Sequence, residues 1–331
     1  MDFKSLPKVE LHLHLDCSLS YKVVRQLDPG ISKEEYEHSF KADSRCHSLL
    51  DYLERAVRGV ELMQDASSLE LVTLDLFEQL KADGVIYVEI RFAPYLHLLQ
   101  GLKAEEVVEI VDQAVRRGAE RTGIEAGLIL CTLRHFSQEQ SLHTVKLVEE
   151  FQGREVVGFD IAADEAGYPV DNHISAFKYA KEKGLHITAH AGEACGPHSV
   201  WETLANFYPS RIGHGVRSIE DPVLIEHLIK QGIHLEVRPT SNLQTGIYEH
   251  LHEHPADRLL RAGISMSINT DGRTISNVTL GDEYNKLQKN FGWGFKELAQ
   301  CNLYALEAAF IPEKRKKEIR EKLIHGWNKI S

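Results

Sequence analysis

The sequence is short of several features that would define a class by themselves. No run of residues approaches the roughly 20 apolar positions a membrane-spanning helix needs, so no membrane span is expected. The N-terminus has no basic stretch leading into an apolar run, so no signal peptide is expected either. Cysteine is scarce and odd in number: Cys17, Cys46, Cys131, Cys195 and Cys301, with no CxxC pair. That pattern argues against a disulfide framework and for a reducing, cytoplasmic setting. Positive charge is in deficit, 38 Lys and Arg against 49 Asp and Glu, a formal net charge of −11. Such a chain is a poor partner for a nucleic-acid backbone or an anionic membrane surface. A free nucleoside carries no phosphate and stays admissible. Neither GxGxxG nor GxxxxGK[ST] occurs, which removes the glycine-rich loops that cradle phosphates at the start of a helix.

What is present is ordinary globular composition, 43% hydrophobic and 26% charged, over 331 residues. The pattern repeats. Amphipathic helices are expected at 69–82, 104–122, 138–151, 173–183, 198–207, 221–231 and 256–261. Strands are expected at 9–15, 85–92, 126–133, 156–161, 186–189, 211–215, 233–237 and 264–268. Between the first strand and the first of these helices lies a polar tract, residues 18 to 65. A short helix there ends at Asp28-Pro29-Gly30, and helical periodicity returns at 49–56. Residues 282–331 read as C-terminal helices, the last with a solvated Lys/Arg face. Eight strands in strict alternation with helices favour an α/β fold of the (β/α)₈ TIM-barrel class over an open doubly wound sheet. The barrel has a helical insertion after strand 1 and C-terminal helices. No composition break divides the chain, so residues 1–331 are expected to form one domain.

In such a barrel, active sites form where the strands end. The first strand alternates Val9, Leu11, Leu13 and Leu15 with Glu10, His12, His14 and Asp16, so His12 and His14 share one face. His190 and Glu193 end or follow the fifth strand, His214 follows the sixth and Asp271 ends the eighth. His12, His14, His190 and Asp271 offer three imidazoles and a carboxylate, a donor set for one catalytic zinc ion per chain. Such an ion lowers the pKa of its bound water to about 7. No lysine stands at the ends of strands three to five to bridge a second metal. Glu193 and His214 are left as acid/base candidates.

Four segments, Leu6-Pro7-Lys8-Val9-Glu10-Leu11-His12-Leu13-His14-Leu15-Asp16, His190-Ala191-Gly192-Glu193, Arg211-Ile212-Gly213-His214-Gly215 and Ser267-Ile268-Asn269-Thr270-Asp271, resemble in order the signature of the adenosine deaminases, a family of amidohydrolase barrels. The zinc deaminases of the cytidine class carry H-x-E…P-C-x-x-C, which is absent here. The resemblance implies hydrolytic deamination of adenosine or 2′-deoxyadenosine to inosine or 2′-deoxyinosine and ammonia. Glu193, kept protonated, would donate to purine N1, while His214 and Asp271 would accept the proton of the attacking water and hold its orientation.

By position, the resemblance also implies substrate contacts from His14, from Asp16 to a ribose hydroxyl, and from the backbone N–H of Ala163, where the family usually has glycine. It further implies contacts from Tyr52 and Leu53 as a lid, and from Arg134 and His135 near the sugar. Two departures stand out. Gly272 replaces a second aspartate that in the family meets purine N7, and Cys17 replaces the usual glycine after Asp16. Because Gly272 removes a purine contact, a deaminase of another 6-aminopurine, aminodeoxyfutalosine or adenine, is the nearest rival. Further off stand a purine-binding protein without catalysis, which would be expected to have lost a ligand or the acid, and a carbon–oxygen or amide hydrolase, which would be expected to show a two-metal lysine.

Overall fold

The computed structural model describes residues 3–328; the last three positions of the predicted C-terminal helices lie outside them. Eight parallel strands follow one another, β1 (Lys8–His14), β2 (Val85–Phe92), β3 (Glu125–Leu133), β4 (Val156–Ala162), β5 (Thr188–Ala191), β6 (Arg211–His214), β7 (His234–Val237) and β8 (Met266–Ile268). They hydrogen-bond as two runs of four, β1 to β4 and β5 to β8, each in sequence order. Single bridges join the runs. Phe159 pairs with Ile187, its N–H donating to His186 O at 3.0 Å. Leu13 pairs with Asp271, with His14 N–H donating to Asp271 O at 2.7 Å and Asp271 N–H to His12 O at 3.2 Å. Both seams together close the ring into a (β/α)₈ barrel, as expected from the alternation. The second seam also brings Asp271 beside the two histidines of β1.

Helices α1 (Tyr21–Leu27), α2 (Lys33–Phe40) and α3 (Leu49–Glu61) form the expected insertion ahead of α4 (Ala66–Ala82), the first barrel helix. Ser20, Ser32 and Ser48 cap the three in turn, each hydroxyl accepting from the N–H three residues on. The outer ring continues with α5 (Ala104–Thr122), α6 (Gln138–Glu150), α7 (Ile174–Glu182), α8 (Pro197–Phe207) and α9 (Pro222–Gln231). A short α10 (Pro239–Gln244) and α11 (Ala256–Arg261) precede α12 (Leu280–Phe291), α13 (Phe295–Ala308) and α14 (Glu313–Asn328). None of the described helices is long and apolar enough to cross a membrane.

Three elements differ from the sequence expectation. Helix α2 was hidden because only Tyr36 and Phe40 face inward among eight mostly charged residues. Helix α10 starts at Pro239, whose fixed φ suits a first helical position, so the run after β7 is not a plain loop. Strand β5 lies two residues later than 186–189. His186 and Ile187 are used in the seam to β4, and His190 sits inside the strand rather than beyond it.

Outward side chains such as Val88, Ile90, Phe92, Leu128, Phe159 and Ile161 pack under the helices. The barrel interior is unusually ionic where branched apolar layers are the norm. Arg91 reaches Asp160 at 2.7 Å and Glu236 at 2.8 Å, and Arg211 reaches Glu236 at 2.8 Å and Glu89 at 2.5 Å. All five are essentially inaccessible to solvent. A charge left alone at such depth would cost several kcal/mol, so the pairs hold one another in place.

Past the end of β4, Ala163 adopts φ +78°, the left-handed region where a Cβ costs roughly 1–2 kcal/mol. Ala163→Gly should therefore stabilise the fold by about 0.5–1 kcal/mol, opposite in sign to an ordinary Ala→Gly change, as read by denaturant unfolding.

Candidate active site

The strand ends deliver their polar side chains to one cavity. Its wall includes His14, Cys17, Leu49, Tyr52, Leu53, Ala163, His190, Glu193, His214, Arg238, Asp271 and Gly272. Nε2 of His14 lies 3.3 Å from Nε2 of both His12 and His190. Asp271 Oδ1 stands 3.5 Å from His12 Nε2 and 3.5 Å from His14 Nε2. One donor atom from each of the four lies within 4.8 Å of every other. Ligands about 2.0–2.1 Å from a tetrahedral ion are about 3.3–3.4 Å apart, so the set is spaced to hold one. The other ring nitrogens of His12 and His190 are also engaged. His12 Nδ1 faces Glu236 Oε2 at 2.5 Å, and His190 Nδ1 faces Asp160 Oδ2 at 3.1 Å. A carboxylate on Nδ1 leaves Nε2 bare and aimed at the cluster, the arrangement a metal ligand requires.

Burial sets the protonation states. It pushes His12, His14 and His190 below the ordinary imidazole value, with nearby cations adding to the effect on His12, so all three are neutral at pH 7. It pushes Glu193 well above the carboxylate range; Asp271 and Glu165 push the same way, and Arg238 opposes. Burial also works against the charge on Asp271, but Arg238, His14 and the Ser241 hydroxyl at 2.7 Å outweigh it and hold the carboxyl low. One cavity thus holds a protonated acid and an ionised one, the pairing an acid/base site needs. Asp16, also buried, is raised to about 6.

Glu193 rides on a turn wrapped around a second buried acid. Glu165 accepts from the N–H groups of Gly192 at 2.7 Å, Glu193 at 3.0 Å and Cys195 at 2.9 Å, and from the Ser199 hydroxyl at 2.6 Å. Its role had no sequence signal beyond a place near the end of β4. Glu193 Oε2 stands 2.9 Å from His214 Nε2.

Of the expected substrate contacts, His14, Ala163, Tyr52, Leu53 and Gly272 are on the wall. Tyr52 is also tied by its hydroxyl to Ser276 at 2.7 Å. Asp16 is buried beside Cys17, 3.5 Å from its sulfur, and is not part of that wall. His135 stands apart from it: its ring packs edge-on against Phe136 and 6.0 Å from Tyr168. Arg134 is used in structure, donating to the carbonyls of His190 at 3.0 Å and Tyr168 at 3.3 Å. The two departures prove to be one. A Cβ at Gly272 would lie 2.7 Å from Cys17 Cβ and 3.1 Å from Cys17 O, so a side chain at 272 is incompatible with Cys17 in this position.

Arg238 is the residue that strand-end reading passed over. It is fully buried, and its Nη1 lies 2.5 Å from His12 Nε2, 2.7 Å from Asp271 Oδ1 and 3.4 Å from His190 Nε2. Its Nε and Nη2 have no hydrogen-bond partner. The four donors fit a metal ion, but an ion seated among them displaces these Nη1 contacts and meets a neighbouring positive charge. Arg238→Met should tighten divalent-metal binding on the order of tenfold or more, read by calorimetric titration of metal-free protein.

Comparison with known proteins places the whole chain in one family. The family model described as adenosine deaminase matches residues 7–326. The adenosine deaminase of Clostridium acetobutylicum is 35% identical, the alignment covering 96% of this chain and 97% of that protein. That of Lacticaseibacillus paracasei is 36% identical over 98% of each. Among solved structures, adenine deaminase from Arthrobacter aurescens superposes with a TM-score of 0.89 at 25% identity, covering 98% of this chain and 99% of its own. An Arabidopsis ADAL complexed with IMP does so with a TM-score of 0.89 at 26% identity, covering 99% and 98%. The chain therefore belongs to the adenosine deaminase family and is a hydrolytic deaminase.

Proposed function

We propose that the chain converts adenosine and 2′-deoxyadenosine to the corresponding inosines and ammonia, with one zinc ion held by His12, His14, His190 and Asp271. The observation that carries the reading is the shared cavity: three neutral imidazoles, an ionised Asp271 and a protonated Glu193 converge there. Three imidazoles favour zinc over magnesium among common ions. When bound, the ion supplies Lewis acidity and lowers the pKa of a coordinated water. The side chains account for the rest. Glu193 donates its proton to purine N1, so negative charge does not accumulate on the ring as water adds at C6. Asp271, held ionised, accepts the water's proton, and His214 holds the oxygen in line. The C6–N bond then breaks as Asp271 passes the water's proton to the amino group, which leaves as ammonia, and the added hydroxyl gives its remaining proton back to Glu193 as the C6 carbonyl forms.

A nucleoside is favoured over its monophosphate by the outer part of the cleft. That part shares Leu49 and Glu193 with the inner cavity and carries Asp164, Glu220 and Arg217. Arg217 is already paired twice with Glu220, at 2.8 and 3.1 Å, so an incoming phosphate meets mostly negative charge. The five free cysteines fit a cytoplasmic enzyme of nucleoside metabolism.

Steady-state turnover on zinc-loaded protein, followed by the ultraviolet change on deamination, should rank adenosine and 2′-deoxyadenosine at least ~100-fold above adenine and AMP in kcat/KM. A preference for adenine, AMP or aminodeoxyfutalosine overturns the substrate assignment. Glu193→Gln should lower kcat by about 10²–10⁴ while the metal stays bound, as metal analysis of the purified variant would show. Because the reaction needs Glu193 protonated, activity should persist through neutral pH and fall only as pH rises through its elevated pKa.

A further inference from the structure

His214 is joined to a chain of side chains that no sequence motif marked. Asn242, on α10, places Nδ2 2.8 Å from His214 Nδ1. His254, just before α11, places Nε2 3.1 Å from Asn242 Oδ1. The backbone N–H of Ala256 in turn donates to His254 Nδ1 at 3.2 Å. Asn242 is fully buried, His254 is 2% exposed and His214 is 1% exposed, so water does not complete these bonds.

The chain has a direction, because its far end is a backbone N–H, which can only donate. His254 Nδ1 must therefore accept, and a neutral imidazole then carries its proton on Nε2. Burial, with Arg258 adding to it, lowers the pKa of His254 to about 3, so it is neutral at working pH. His254 Nε2–H donates to an oxygen, which orients the Asn242 amide with Oδ1 toward His254 and Nδ2 toward His214. The amide N–H then donates to His214 Nδ1. His214, neutral for the same reason of burial, must carry its proton on Nε2, the nitrogen 2.9 Å from Glu193 Oε2.

We propose that Asn242 and His254 are positioning residues that lock His214 as an Nε2–H donor. In this state the protonated nitrogen of His214 faces Glu193 Oε2, 2.9 Å away. The Glu193 proton is thereby confined to Oε1, the oxygen left to serve the purine. His214 cannot be the first acceptor of the water's proton, since its only bare nitrogen, Nδ1, is engaged by Asn242. Proton acceptance falls to Asp271, and His214 acts as a hydrogen-bond donor toward the oxygen that adds at C6. A locked tautomer of this kind matters because the reversed one would present a lone pair to Glu193 and draw the acid's proton toward itself.

This assignment rests on the deaminase reading for its consequences, but its first test does not need turnover. In protein labelled with ¹⁵N-histidine, His214 is identified by its absence in His214→Asn. Its Nε2 should be the protonated nitrogen and its Nδ1 the bare one. A protonated Nδ1 in the native protein overturns the proposal, whatever the substrate proves to be. Asn242→Asp supplies an acceptor where the amide supplied a donor and should move the proton to Nδ1. With it, kcat on adenosine should fall about 10- to 100-fold, with KM within about threefold of native and metal content unchanged.

His254→Leu should lower kcat in the same manner, and His254→Gln, which keeps an N–H toward Asn242 Oδ1, should recover most of the loss. Native kcat in a folded His254→Leu or Asn242→Asp protein, with His214 still protonated on Nε2, would also overturn the proposal. If adenosine is not turned over by native protein, the substrate assignment fails while the tautomer measurement still stands.

Discussion

The site depends on one buried guanidinium. Arg91, inside the barrel on β2, binds Asp160 of β4 and Glu236 of β7 at once. Those two carboxylates bind Nδ1 of His190 and His12. The orientation of two imidazoles of the candidate metal cluster, on β5 and β1, thus rests on a cation that touches neither. Without Arg91, two carboxylates would face each other across a space closed to water, and their cost would be several kcal/mol each. With it, they are ionised acceptors that turn Nε2 of both rings toward the cavity. Arg211 extends the same layer by bracing Glu236 and Glu89. The barrel gives up apolar packing in this layer, and the gain is an oriented donor set.

Burial acts on every titratable group near the strand ends, and the local partners decide the outcome. The histidines have cations or other imidazoles around them, so desolvation wins and they stay neutral. Glu193 has Asp271 and Glu165 nearby, so desolvation wins again and the acid stays protonated. Asp271 and Asp160 are equally buried, yet each faces enough positive charge and hydrogen-bond donation to remain ionised. Acid and base roles are thus separated by neighbours rather than by depth.

Much of the architecture was legible in the sequence because a barrel repeats one signal. Strand β2, helix α5 and helix α11 run over the residues their periodicity predicts. His12, His14, His190 and Asp271 were legible as a set because chemistry in this fold gathers at strand ends. The elements that escaped had weak or shared signals: α2 is mostly charged, α10 is a single turn and a half, and β5 begins where a seam residue leaves off. The residues that escaped, Arg238, Glu165, Asn242 and His254, act through hydrogen bonds to partners 27 or more positions away or through a short chain of such bonds.

By itself the sequence determined the alternation of strands and helices, the four metal-ligand candidates and the acid candidate Glu193. Local periodicity and residue type carry that information along the chain. Only the tertiary structure decided that Cys17 and Gly272 are one steric unit, that Arg238 lies against the candidate ligands, and that Arg134 is bound to the carbonyls of His190 and Tyr168. It alone also brought Asn242 and His254 into line behind His214. These depend on distances between segments far apart in sequence, and those are not written in the order of the residues.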